Sequence, residues 1–249
     1  MEGARGSGAK HIIFVHGACH GGWSWYKVAS RLRSGVPTFR DYTGPLLDVL
    51  RSLPEGEKAV LVGHSLGGLS VVALEPVTLA AELFPEKVAA AVFLTAFMPD
   101  CMSPPSVVIL KNAERSPYTP LDNEMKPQDA DGKLPSSFMF GPKFTEQKLY
   151  QLCSPEDLTL GKSLMRIGSL FVEDLQIQLP FTKERYGSVP KVYVVCKQDE
   201  TISEEHQRWM VANNPVDEVM EIDGADHMAM LSAPDQVVEC IIDITKRYN

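Results

Sequence analysis

The sequence predicts an α/β fold in one domain, a mostly parallel sheet with helices on both faces. Compact runs that are nearly all apolar recur at 11–15, 59–62, 88–94 and 189–196, as in strands covered on both sides. Amphipathic stretches separate them, and alternating strand and helix patterns give parallel pairing. A chain of 249 residues suits one core of this kind.

The elements follow in order. After the strand at 11–15 comes a glycine-rich turn, then a helix over 25–32 and a second over 39–53, with apolar residues at 39, 42, 46, 49, 50 and 53. The strand at 59–62 leads through a turn into a helix-compatible run, and 88–94 is the third strand. From 99 to 187 the strand signal vanishes and the composition shifts to Pro, Met, Phe and Lys. Helical pieces are expected there at 143–152 and 155–164, and 117–135 is loop-like. This stretch reads as a helical cap, residues 99–187, inserted between core portions 11–98 and 188–249. The strands at 189–196 and 219–222 and a final helix at 234–248 complete the core.

Composition excludes several functions. With 24 basic against 32 acidic residues the net charge is −8 and no Lys/Arg block occurs, so nucleic acid is not an expected partner. Five scattered cysteines without a CxxC pair argue against a disulfide framework or a zinc site. The N-terminus lacks the apolar core of a secretory signal and no run approaches a membrane span, so a soluble, cytoplasmic protein is expected, with no membrane partner.

The chemistry starts at Gly63-His64-Ser65-Leu66-Gly67, a G-x-S-x-G pentad that follows an apolar strand. The pattern alone arises by chance in roughly one chain in ten of this length. Its position after a buried strand decides the reading, because a strained strand-to-helix turn needs small flanks and lifts a serine hydroxyl above the sheet edge. A hydroxyl needs a base, and of six histidines His227 follows the strand at 219–222, at the sheet end where ligand chemistry collects. The acid should follow a strand between the two in sequence. Asp199 fits, with Glu200 beside it as the alternative, whereas Asp223 and Asp226 are too local to His227 to reach its ring easily. After the first strand, His16 to Trp23 form a glycine-rich turn whose backbone can approach an oxyanion, with Ala18 and Leu66 as donors. His16 and His20 share a metal-like spacing, but a glycine loop frames a metal poorly and no third ligand is apparent, so no cofactor or metal is expected.

The segments HGACHGGWSWYK, GHSLGGLS, AFMPD, GPKF, KLYQLCSPEDL, GSLF, ERYGSV and GADHMAML resemble, over nearly the whole chain, the plant methyl esterases of the α/β-hydrolase fold. That group includes esterases for methyl salicylate, methyl jasmonate and methyl indole-3-acetate, polyneuridine aldehyde esterase and the related hydroxynitrile lyases. The resemblance implies the same triad of Ser65, His227 and Asp199, and an apolar substrate pocket at Gly17, Phe97, Phe140, Leu170 and Met228. It also implies a serine carboxylesterase acting on small methyl esters of plant hormones, with a small apolar ester or acid as ligand. A homodimer is the assembly to test for. The lyases carry Thr at the position of Gly17 and Lys at that of Met228, so both positions read as esterase. A lyase-like enzyme and a hormone-binding module with little turnover are the alternatives.

Three departures stand against that pattern. The strand expected after Leu32 is missing, with only Ser34 to Pro37 before the next helix. This predicts that 11–15 becomes an exposed sheet edge and that a neighbouring helix shortens or shifts. Extra residues at 72–78 place Pro76 inside the helix after Ser65, where proline breaks the hydrogen-bond ladder. In the cap, Pro120 and Met125 stand where salicylate-type members carry Trp and Phe, which weakens the expectation of a salicylate ring.

Overall fold

The computed structural model describes residues 11–32, 46–69, 77–115, 121–127 and 136–248. Five parallel strands form the main sheet, in the order β1 (His11–Val15), β2 (Ala59–Ser65), β3 (Val88–Ala96), then the strands Lys191–Cys196 and Glu218–Ile222. Between β3 and the fourth of these lies a separate antiparallel pair, β4 (Glu124–Lys126) and β5 (Ser137–Met139), so the last two main strands are β6 and β7. The helices in chain order are α1 (Tyr26–Leu32), α2 (Leu46–Ser52), α3 (Val77–Leu83), α4 (Val107–Arg115), α5 (Pro142–Phe144), α6 (Pro155–Leu164), α7 (Val172–Ile177), α8 (Glu204–Asn213), α9 (Ala229–Ser232) and α10 (Pro234–Arg247).

Period-two alternation along the strands separates two cores. Leu61, Phe93, Tyr193 and Val195 pack with α2, α3 and Met210 of α8 on one face. Val60, Val62, Val92 and Val194 pack on the other with Val28 and Leu32 of α1 and Val237, Ile241 and Ile244 of α10. Each such fully buried side chain contributes about 1.5–3 kcal/mol. β2 and β3 are buried along their whole length, which explains their continuous apolar sequence.

Most differences from the sequence reading have local causes. β2 and β3 run further than predicted, to Ser65 and Ala96, because a strand stays paired through polar residues when its neighbours hold the ladder. Segment 99–187 carries the β4–β5 pair where no strand was expected, and strands of three residues are too short to show a periodicity. The helical piece at 143–152 is α5 continued by a π-type turn over Thr145–Leu149, whereas α6 matches its expected bounds. α4, α7 and α8 were not predicted. α8 starts at a Ser203 cap that accepts from the His206 N–H, but Glu, His, Gln and Arg crowd its sequence.

β1 forms one edge of the sheet of described strands, and α1 and α2 lie on opposite faces. The expected gap of Ser34 to Pro37 and the first half of the predicted helix at 39–53 lie outside the described residues, as do residues 70–76 with Pro76. The described helix begins at Val77, directly after that proline.

Candidate active site

β2, β3 and β6 end on the same side of the sheet, and the chemistry-bearing residues stand there. Ser65 closes β2 with φ 55° and ψ −125°, a positive-φ conformation rare for a residue with a side chain, which turns the chain sharply into the short 3-10 turn Leu66–Gly68. The turn requires glycine on both sides. A Cβ on Gly63 would lie 2.8 Å from the Gly67 carbonyl oxygen, and one on Gly67 would lie 2.6 Å from that of Val15.

His227 spans the site. Its Nε2 lies 3.0 Å from Ser65 Oγ and its Nδ1 lies 2.7 Å from Asp199 Oδ2. A carboxylate only accepts, so Nδ1 carries the proton and Nε2 presents its lone pair to the serine hydroxyl. Ser65, His227 and Asp199 are all buried. Asp199 Oδ1 accepts from the Thr201 and Ile202 N–H groups at 2.6 and 2.8 Å, and Thr95 Oγ1 donates to Oδ2 beside His227. Glu200 points away and pairs with Lys148 at 3.2 Å. Asp226 also stays off the imidazole. Its carboxylate accepts from the N–H groups of Leu152 and Met228 and from Ser232 Oγ, which ties segment 99–187 to the loop bearing His227.

The base loop is held from a second side. His64 Nε2 donates to the His227 carbonyl at 2.7 Å, and burial, with His227 nearby, pushes the His64 imidazole well below its usual range, so it stays neutral.

The glycine turn after β1 packs against Ser65, and a Cβ on Gly17 would stand 2.7 Å from Ser65 Cβ. The Gly17 carbonyl accepts from His16 Nδ1 at 3.0 Å and from the His20 N–H at 3.4 Å. These contacts hold the Gly17–Ala18 peptide plane, whose other side carries the Ala18 N–H. His20 donates from Nδ1 to the Ala18 carbonyl at 2.7 Å and accepts from Tyr150 Oη at 2.8 Å, and burial pushes it down to about 4. His20 thereby joins the loop to segment 99–187.

The expected pocket residues are spread more widely. The Phe97 N–H donates to the Ser65 carbonyl at 3.0 Å, and Met228 is buried next to His227. Phe140 stacks on Phe144 and borders His20, while Leu170 packs against the α2–α3 face of the core. Met125 is exposed on β4, and Pro120 lies outside the described residues. The sequence did not reveal Thr95, the contacts that Asp226 makes away from the ring, or the partners of His20 and His64. Thr95 did leave a trace, as the only polar residue in the run from Val88 to Ala96.

The alpha/beta hydrolase family matches residues 12–240. The salicylic acid-binding protein 2 of Nicotiana tabacum is 45% identical over 262 aligned residues, covering 96% of this chain and 98% of that protein. The chain belongs to the alpha/beta hydrolase family, among the plant methylesterases. Methylesterase 1 of Arabidopsis thaliana is 43% identical, covering 96% of this hydrolase and 97% of the relative. The crystal structure of polyneuridine aldehyde esterase superposes with a TM-score of 0.85 at 40% identity, covering 95% of this hydrolase and 99% of that chain. The alignment with the tobacco protein spans 262 positions against the 249 residues of this hydrolase, so this chain lacks some positions that the tobacco protein has. Among the described residues no helix is long and apolar enough to cross a membrane.

Proposed function

We propose that this chain is a serine carboxylesterase that hydrolyses small carboxylic methyl esters, plant hormone esters among them, through an acyl-Ser65 intermediate. The observation that carries the proposal is the single imidazole of His227 bridging Ser65 Oγ and Asp199 Oδ2 at hydrogen-bond distance. Ser65 Oγ attacks the ester carbonyl carbon as His227 Nε2 takes its proton. The Ala18 and Leu66 N–H groups receive the oxyanion of the tetrahedral intermediate. Collapse expels methanol, protonated by His227, and a water activated by the same imidazole releases the acid and restores Ser65. Asp199 keeps the proton on Nδ1 and stabilises the imidazolium that forms twice in the cycle.

The names of the relatives, methylesterases and a salicylic acid-binding protein, support a methyl ester as substrate and a small acid as product. Segment 99–187 would cap the bound acyl group, with Phe97, Phe140, Leu170 and Met228 as its apolar walls. A lyase-like reading loses support at two positions. Gly17 has no room for a side chain against Ser65, and Met228 offers no charge to a cyanide leaving group.

The test is turnover of p-nitrophenyl acetate and of methyl salicylate, methyl jasmonate and methyl indole-3-acetate by the purified chain and by Ser65→Ala. Wild type should release acid, and the variant should retain only the residual acceleration of roughly 10³–10⁴ over water that triad loss leaves in serine hydrolases. Wild-type turnover by Ser65→Ala would remove Ser65 as nucleophile. Ligand binding without turnover by the wild type would make the chain a binding module.

A further inference from the structure

Near the end of β3 the ladder slips. His64 pairs with Leu94 but Ser65 pairs with Ala96, so Thr95 is an extra residue opposite no partner, a β-bulge. The side chains record the same slip. Phe93 faces the α2–α3 core and Leu94 the α1–α10 core, and strict alternation would send Ala96 to the α1–α10 side. Ala96 instead packs in the α2–α3 core with Phe93. Thr95 absorbs the shift with φ 35°, a left-handed conformation that β-branched residues seldom adopt. β3 is paired with β6, and Asp199 lies just beyond the end of β6, so the bulge stands beside the acid. The fully buried Thr95 hydroxyl donates to Oδ2 of Asp199, the oxygen that also receives His227 Nδ1–H.

We propose that Thr95 is a positioning residue for catalysis: the bulge exists to aim its hydroxyl at the Asp199 carboxylate and so fixes the oxygen that orients His227. A carboxylate can rotate about its Cβ–Cγ bond, and the N–H groups of Thr201 and Ile202 hold only Oδ1. Thr95 supplies the second donor to Oδ2. It thereby settles the carboxylate plane and competes with His227 for the charge on that oxygen. Bulges beside active sites commonly re-aim a side chain in this way.

The proposal rests on reading Ser65, His227 and Asp199 as the triad, and the experiment separates the two. Thr95→Val keeps the branched shape and loses the hydroxyl, Thr95→Ser keeps the hydroxyl, and Thr95→Ala serves if the valine variant does not fold. For each, kcat and KM are measured with p-nitrophenyl acetate. The downfield proton resonance of His227 Nδ1–H is recorded by NMR, and a thermal melt reports folding. Loss of one hydrogen bond to a charged group should lower kcat about tenfold or more in Thr95→Val, with KM nearly unchanged. The Nδ1–H resonance should move from its wild-type position, and Thr95→Ser should restore both rate and resonance. A folded Thr95→Val or Thr95→Ala with wild-type kcat and resonance overturns the proposal, as does an equal loss in Thr95→Ser, which would point to the backbone instead of the hydroxyl. The resonance does not depend on turnover. If Ser65→Ala kept full activity, the triad reading would fall, and the NMR comparison would still decide whether Thr95 sets the His227–Asp199 contact.

Discussion

Around Ser65 the residues of the site are buried, and each of Ser65, His227 and Asp199 is held by hydrogen bonds from at least one other chain segment. Segment 99–187 differs. Met102, Met125, Ile167, Ile177 and Leu179 are 61–83% exposed, and although the segment also buries Leu149, Tyr150, Leu175 and Tyr186 in the two cores, polar ties join it to the elements around the site. Asp157 of α6 receives Tyr26 and Lys27 of α1, Leu152 N–H donates to Asp226, Arg166 N–H donates to the Cys19 carbonyl, and Tyr150 donates to His20. Two of these ties end on the glycine turn and one beside His227. The packed sheet end therefore fixes the reacting atoms, and segment 99–187 touches them through discrete contacts that can be removed one at a time.

The contrast is sharpest at the acid. Asp199→Asn should lower kcat by about 10⁴-fold, because an amide in place of the carboxylate favours the wrong His227 tautomer. Glu200→Gln, one residue on, loses only an exposed pair with Lys148 and should change kcat less than twofold, the pair being worth about 0–1 kcal/mol. Steady-state kinetics on both variants check this, and equal losses would erase the distinction between the two carboxylates.

At the strand turn, Gly67→Ala should push the chain off the Val15 and His16 carbonyl oxygens, which a Cβ would approach to 2.6 and 2.7 Å. Overpacking of this kind costs about 1–3 kcal/mol, readable as a lower denaturation midpoint together with lost activity. In the loop before His227, Gly224→Ala meets nothing within 4 Å and should be silent in both measurements.

At the tie between α1 and α6 the expected effect is on stability alone and depends on pH. Burial pushes the Asp157 carboxyl up, but its hydrogen bonds from Lys27, Ser154 and Tyr26 outweigh burial and leave it below the usual carboxylate range. A carboxyl depressed on folding contributes stability above its unfolded pKa, near 3.9, and loses it as pH falls through the lower folded value. Asp157→Asn should therefore lower stability by about 1–3 kcal/mol at pH 7, and the difference from wild type should shrink below about pH 4. Melts across that range decide it, and a gap independent of pH would mean that the tie is not ionic.

Local chemistry made much of this protein legible. Apolar runs at 11–15 and 88–94 mark strands because a strand buried on both faces has little use for polar side chains. The G-x-S-x-G turn marked Ser65 because only glycine, which has no Cβ, fits where carbonyl oxygens approach that closely. The order of strands then proposed His227 and Asp199, which the fold brings to either side of one imidazole. Tertiary structure alone decided the rest. Thr95 reaches Asp199 only because β3 and β6 are neighbours and the ladder slips by one residue, and sequence separation carries no information about either. Asp226 turns toward Leu152 and away from the imidazole next to it in the chain, and His20 finds Tyr150 130 residues away. Those partners depend on how segment 99–187 lies on the core, a packing outcome that no local pattern encodes.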